Sequence, residues 1–238
     1  MTQKNHKPMQ QTQIGFLIYP DVIQLDVTAA YQVLAFPPQT SLHLIAKTTA
    51  PLKSNEGLIL QPTVTLDDCP PLDVICVPGG GLGQLKVIQD PDCLDFLRHQ
   101  STTSQYVTSV CTGSLILAAA GLLQGYRATT HYLFRDQLAL LGVEVVPERV
   151  VIDRNRVTGA GVTSGLDFGL TLLSLLYGET TAQMAQLMME YSPKPPFAGT
   201  PETAAPEAVA ALMQAGQPLM EAFLKQTQAT AIQLKQAT

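Results

Sequence analysis

The stretch SQYVTSVCTGSLILAAAGLL, residues 104–123, decides how this chain is read. Tyr106 to Val110 are β-branched, aromatic and small residues in a run the length of a buried strand, and the apolar, alanine-rich residues that follow have helical composition. Cys111 stands where the strand turns into the helix. A free cysteine is among the residues most often buried, so the thiol can simply pack. A thiol at a helix start also faces the positive end of the helix dipole, which favours the thiolate and makes a nucleophile near neutral pH. Position and flanking residues support the two readings equally.

The same rhythm extends outward in both directions. QIGFLIY (13–19) is an apolar run ended by Pro20 and Asp21, and residues 27–35 have helical composition up to Phe36, before Pro37-Pro38. LHLIA (42–46) reads as a strand, and the alternating GLILQPTVTL as a hairpin. DVICVP reads as a buried strand running into GGGLG, followed by a helix over 91–100. Beyond YVTSV come HYLFRDQLALLG, with His131 at a helix start, a hairpin around VVIDRNRVTGAG, and a helix over 164–177. Strands alternating with helices predict an α/β fold, a flavodoxin-like doubly wound, mostly parallel sheet with helices on both faces. YSPKPPFAGTPETAAPE then introduces a Pro-rich connector and a helical segment from Ala208, with Pro218 a kink or break. The expected organisation is a polar tail over 1–12, an α/β domain over 13–192, and a connector with a C-terminal helical extension over 193–238.

Composition narrows the function classes. With 238 residues, 46% of them hydrophobic, the chain can build one sizeable core. The net charge is -5, charged residues make up 14%, and no Lys/Arg run could neutralise a row of phosphates, which argues against nucleic acid as a partner. The apolar runs LILAAAGLL and LTLLSLLY are too short to span a bilayer, and the polar N-terminus has no signal-like apolar segment, so no membrane association and a cytoplasmic location are expected. Cys69, Cys76, Cys93 and Cys111 form no CxxC pair and the four histidines no HExxH or HxH spacing, so free thiols and no metal are expected.

In open α/β sheets, ligands bind beyond the carboxyl ends of the strands. Three strand ends carry candidates here: the loop leading to Asp26, the glycines Gly79 to Gly81, and Cys111. If they converge, Asp26 is a carboxyl beside a sulfur, whose pKa rises and which can shuttle a proton. Gly113 lets the helix start close to the sheet, and the Thr112 N–H and the Gly79–Gly81 backbone can donate to an anion. Each has a plainer reading: Asp26 as a helix N-cap, the glycine triplet as a tight turn, and His131 as a helix start instead of a partner for Cys111. For Cys69, Cys76 and Cys93 the packing reading prevails. A dinucleotide fingerprint is not supported, since Gly81-Leu82-Gly83 is followed by no glycine three residues on.

Taken together, IGFLIYPDVIQLD, LDVICVPGGGLG, YVTSVCTGSLILAAAGLLQGYRATTHY and RVTGAGVTSGLDFGLTLL resemble the ThiJ/PfpI superfamily, and within it the isocyanide hydratase branch. The likeness runs from about Ile14 to about Glu190. SVCTGS followed by RATTH favours that branch over the protease-like one, in which a histidine follows the nucleophile; here Thr112 takes that place. The resemblance implies that Cys111 is the nucleophile, Asp26 the carboxyl facing it, Thr112 a supporting residue through its backbone and hydroxyl, and Gly80 an oxyanion-type backbone donor. One departure is Ala29-Ala30, where relatives commonly show Gly-Pro in the pocket wall.

The activity so implied is hydration of an isocyanide to an N-substituted formamide through a cysteine thioimidate, with no cofactor. Two other classes stand beside it. A glyoxalase or deglycase type would also use Cys111, but it usually pairs the cysteine with Glu where this chain has Asp26. A ligand-sensing domain like those of AraC-type regulators would continue into a helix-turn-helix, and no basic recognition segment precedes Thr238; an oxidation sensor built on Cys111 would use the same thiolate. Val209, Leu212, Met213, Leu219, Met220 and Phe223 share a helical face that can dock on a second subunit or pack back on its own domain; the resemblance, whose members are typically homodimers, implies the first.

Overall fold

Apolar runs that bury both faces of a strand dictate the centre of the molecule. The computed structural model describes residues 11–236. In chain order it begins with β1 (Thr12–Leu17), α1 (Gln24–Leu34), β2 (Thr40–Ala46) and the short strands β3 (Leu52–Lys53), β4 (Ile59–Leu60) and β5 (Val64–Thr65). β6 (Val74–Val77), α2 (Gly83–Gln89), α3 (Pro91–Ser101), β7 (Tyr106–Val110) and α4 (Gly113–Ala119) form the middle. Next come β8 (Arg127–Ala128), a 3-10 turn at Tyr132–Phe134, α5 (Arg135–Leu140), β9 (Glu144–Val145), β10 (Val150–Asp153) and β11 (Arg156–Gly159). The chain closes with α6 (Ser164–Tyr177), α7 (Glu179–Met188) and α8 (Pro206–Gln236).

Seven strands form one sheet in the order β10-β11-β7-β6-β1-β2-β5, parallel except for the β10–β11 hairpin. The doubly wound α/β expectation is met. Order runs outward from β1 in both directions, so β1 and β6 flank the switch point, and their carboxyl ends face the loops that carry Asp26 and Gly79 to Gly81. α1, α6 and α7 pack together on one side, and α2, α3, α4, α5 and α8 on the other. Ile14, Phe16, Ile75, Leu115, Ile116, Phe168 and Leu172 are among the fully buried side chains between these layers.

Several expectations shift. The helix expected over 27–35 begins three residues earlier, at Gln24, because Ile23 leaves the extended loop there with φ -73 and ψ 110. GLILQPTVTL is not a hairpin within itself: its first half, β4, pairs antiparallel with β3, while β5 adds to β2 in parallel. Helix 91–100 and helix 164–177 appear as α3 and α6. α2, just before α3, and α7, just after α6, are helices that the sequence reading passed over.

Pro218 does not break α8, which runs as one helix of 31 residues. Proline lacks an N–H and crowds the carbonyl one turn back, but packing of the following turns on the domain holds the helix together. The apolar stripe expected at a subunit interface therefore divides. Phe223 is fully buried against Phe134 (ring centroids 5.0 Å apart), Leu219 and Met220 pack on the same core, and Thr227 bonds Gln137. Leu212 and Met213, on the turns before Pro218, stay exposed. The tail expected over 1–12 lies, except for residues 11 and 12, outside the described residues.

Candidate active site

Cys111 occupies a turn so sharp that its φ is 57°, in the left-handed region that costs a non-glycine residue about 1–3 kcal/mol. The surroundings over-determine it. Its N–H lies 3.0 Å from the Gly159 carbonyl and 2.8 Å from that of Ala160, and its own carbonyl accepts from Thr130 Oγ1 (3.0 Å) and Ser114 Oγ (3.2 Å). β11 and the start of α4 thus clamp the residue from both sides. Thr112, not Cys111, is the first cap of α4, and Gly113 brings the helix hard against β6: a Cβ there would collide with the Val77 carbonyl.

Asp26 arrives from the opposite loop. Residues 20–23 are stitched between two neighbours: Val22 bridges Gly80, the Ile23 N–H donates to the Gly79 carbonyl (3.0 Å), and the Asp21 N–H donates to the Lys53 carbonyl (3.0 Å). That loop fixes where α1 starts. Asp26 sits in its first turn instead of capping it, since the cap position is Ile23. The side chain is 1% exposed, Oδ2 accepts the Gly79 N–H at 2.9 Å, and Oδ1 is buried with no hydrogen-bond partner. A Cβ on Gly79 would stand 2.8 Å from Asp26 Oδ2 and 2.5 Å from Thr112 Oγ1, so only glycine lets the strand end slip between them.

The carboxyl and the thiol interact directly, and among the described residues no cation acts on either of them. Burial raises Asp26 from 3.8 to about 7, against the downward pull of the Gly79 amide and Cys111. Burial also pushes the Cys111 thiol well above its ordinary value, and Asp26 adds to that, against the Thr112 amide and hydroxyl. Asp26 is raised, as expected; Cys111 is raised too, where a thiol lowered by the helix start was expected. Desolvation of a fully enclosed sulfur outweighs the dipole of a short helix.

Gly80 stands on the same loop, but its N–H points at Gln84 Oε1 (2.8 Å), with Thr112 Oγ1 at 3.3 Å. In this arrangement the amide is engaged within the protein and not directed at an anion site. The geometry therefore brings together Cys111, Asp26, Thr112 and Gly79, with Gly80 one bond removed. His131 caps the 3-10 turn, its Nδ1 accepting from the Leu133 N–H (3.3 Å), which bears out the structural reading. Ala29 and Ala30 lie against Gly165 and Gly169 of α6, so the departure from Gly-Pro shapes a helix contact. Among the described residues, no group of three His, Cys, Asp or Glu is placed to hold a metal.

Two residues that sequence reasoning passed over complete the surroundings. Gln84, fully buried near the start of α2, spans the Gly80 loop and the Thr112 turn. Tyr19 donates to the Pro78 carbonyl at 2.8 Å, and burial together with Asp26 keeps its phenol protonated. The only sequence signal for Gln84 is its place one residue after GGGLG, where a helix start points back at the glycine loop. Tyr19 also walls a separate apolar cavity of about 460 Å³, floored by Leu17, Ile18, Val87 and Cys93.

This fold and the cysteine turn define a class: residues 12–175 match the DJ-1/PfpI family, and the chain belongs to it. Among curated proteins, isonitrile hydratase from Pseudomonas putida is 56% identical over 199 residues, covering 83% of this chain and 86% of that protein. The transcriptional regulator GbdR from Pseudomonas aeruginosa is 30% identical over 185 residues, and the match spans half of its length. A THiJ/PfpI family protein from Pseudomonas syringae superposes with a TM-score of 0.89 at 39% identity, with 97% of both chains covered. Drosophila melanogaster DJ-1beta, at 20% identity and a TM-score of 0.70 over 77% of this chain and all of its own, shares the fold.

Proposed function

We propose that this protein is an isocyanide hydratase, converting R–N≡C and water to the formamide R–NH–CHO. The observation that carries the reading is the 56% identity to an isonitrile hydratase over most of both chains. The enclosed Cys111–Asp26 pair supplies a chemistry that fits it. The isocyanide carbon needs a nucleophile and a proton at one centre, and the pair holds both.

In the proposed cycle the Cys111 sulfur gives its proton to Asp26 as it meets the substrate, so that charge separates only when a bond can use it. The thiolate attacks the terminal carbon while the Asp26 carboxylic acid protonates that same carbon, giving the thioimidate R–N=CH–S–Cys111. Asp26, now ionised, takes a proton from a water whose oxygen adds to the carbon, and returns that proton to nitrogen. Collapse of the adduct re-forms the carbonyl, expels the sulfur and leaves the last proton on the pair. A carboxyl raised to about 7 is suited to both halves, being close to equal as acid and base near neutral pH.

Thr112 supports the sulfur through its N–H and hydroxyl. Gly80 is assigned a part in ordering the loop opposite, since its amide already binds Gln84. The catalytic unit is assigned to residues 13–192, with 193–238 as an appended connector and helix. Among the described residues no helix is long and apolar enough to cross a membrane, and the four cysteines are free thiols, which supports a cytoplasmic setting.

A homodimer is also part of the reading. Leu187 and Met188 at the end of α7, Phe197 in the connector, and Leu212 and Met213 on α8 leave apolar side chains exposed that a second copy would cover. The activity is tested by incubating the protein with a simple aliphatic or aromatic isocyanide and analysing products. The matching N-formamide supports the reading, and unreacted isocyanide refutes it.

A further inference from the structure

Gln84 is fully buried, carries no charge and makes three short hydrogen bonds, all to the two loops that frame Cys111. Its Nε2 donates to the Thr112 carbonyl at 2.8 Å. Its Oε1 accepts from the Gly80 N–H at 2.8 Å and from the Thr112 hydroxyl at 2.7 Å. A buried amide so fully used is a rigid spacer between the glycine loop and the cysteine turn.

The Thr112 hydroxyl has one proton to give. It donates to Gln84 at 2.7 Å, and the same hydroxyl, on the residue next to Cys111, pulls the Cys111 thiol downward, the direction that favours the thiolate. Both acceptors cannot be served at once. Gln84 Oε1 keeps the Gly80 N–H in either state, so turning the hydroxyl away from Gln84 leaves no acceptor in the protein unsatisfied, and the Nε2 bond to the Thr112 carbonyl holds the turn still meanwhile.

We propose that Gln84 is a positioning residue that governs Cys111 through Thr112, holding the Thr112 hydroxyl proton while the sulfur is a thiol and releasing it when the sulfur becomes an anion. Gln84 touches neither substrate nor sulfur. It sets how readily the nucleophile forms and keeps the turn in register. The proposal rests on Cys111 being the nucleophile of the proposed reaction. The charged or titratable groups that act on the sulfur are Asp26 and, through their mutual interaction, Tyr19; Glu56 acts on Asp26.

The test is a double-substitution cycle on the full chain, using Gln84→Met, Thr112→Val and the two combined. The rate of iodoacetamide labelling at Cys111 is followed by peptide mass spectrometry from pH 6 to 10, alongside kcat and KM for isocyanide hydration. Thr112→Val moves the labelling profile to higher pH by about one unit, a tenfold slower reaction at fixed pH. Gln84→Met frees the hydroxyl for the sulfur and moves the profile to lower pH by a similar amount, while kcat falls and KM changes little.

In the Thr112→Val background, Gln84→Met leaves the labelling profile where it was. An equal shift in both backgrounds, or no shift in either, overturns the proposal. If Gln84→Met does not fold, Gln84→Glu takes its place: a carboxylate holds the hydroxyl proton more firmly, so its upward shift is larger with Thr112 present than in the Thr112→Val background. An equal upward shift in both overturns the proposal. The labelling arm uses no isocyanide, so a wild-type protein that makes no formamide refutes the proposed activity while the cycle still judges Gln84.

Discussion

Replacing Asp26 by Asn separates the catalytic use of the carboxyl from its cost to the fold. In the native protein the group is held at about 7, against an ordinary value of 3.8, and burial is the main cause. The folded state thus binds a proton that the unfolded chain has released, so the contribution to stability is fully present below about pH 4 and is lost as pH rises through 7. A gap of about three pH units at about 1.4 kcal/mol each means that burying the ionised carboxylate costs roughly 4 kcal/mol by pH 8. At pH 5 the cost is less than half of that. Asn keeps an oxygen for the Gly79 N–H and never ionises, so it escapes the cost at every pH.

The expected outcome is that Asp26→Asn gains roughly 2–3 kcal/mol on the wild type between pH 5 and pH 8, while hydration slows by about 10²- to 10⁴-fold. Urea unfolding followed by circular dichroism at half-unit pH steps gives the first quantity, and formamide production the second. A residue serving only the start of α1 gives parallel stability profiles and unaltered turnover, because Asn and Asp are near equals in that role. Parallel profiles refute the reasoning about burial. Retained turnover refutes the proton role.

Cys111→Ser and Cys111→Ala are expected to abolish formamide production with the far-ultraviolet circular dichroism unchanged, and near-native turnover in Cys111→Ser would remove the covalent route. Since the thiol is raised by burial and by Asp26, the rate of Cys111 labelling by iodoacetamide should still be climbing at pH 9; a plateau near pH 7 would mean a resting thiolate. Gly113→Ala is expected to lose about 1–3 kcal/mol in urea unfolding, because its Cβ meets the Val77 carbonyl, and an unchanged midpoint would show that α4 can back away from β6. Light scattering at micromolar concentration should give about twice the chain mass of 25.6 kDa, and a monomeric mass that persists on concentration argues against the dimer.

The strands, their parallel arrangement and the turn that carries Cys111 were legible in the amino-acid sequence because they rest on local signals. Runs such as DVICVP and YVTSV bury both faces, prolines and glycines mark their ends, and a strand that leads into a helix leaves few ways to connect. Asp26, Cys111 and Thr112 were found the same way, as polar or reactive residues at the carboxyl ends of buried strands. What the tertiary structure alone decided was electrostatic and cooperative. Enclosure by β11, α1 and the Gly79 loop pushes the Cys111 thiol up where the helix start alone would pull it down, because desolvation depends on every element that closes over a group.

Likewise Gln84 became part of the site only when the glycine loop and the cysteine turn, 28 residues apart, were brought within hydrogen-bonding distance of one amide. Pro218 is the converse case: its local rule predicted a break, and the docking of Phe223 and Thr227 on the domain kept α8 whole. Sequence periodicity records which face of an element is apolar. Which partner covers that face, and which charge a buried group can keep, are settled by long-range packing that no local window contains.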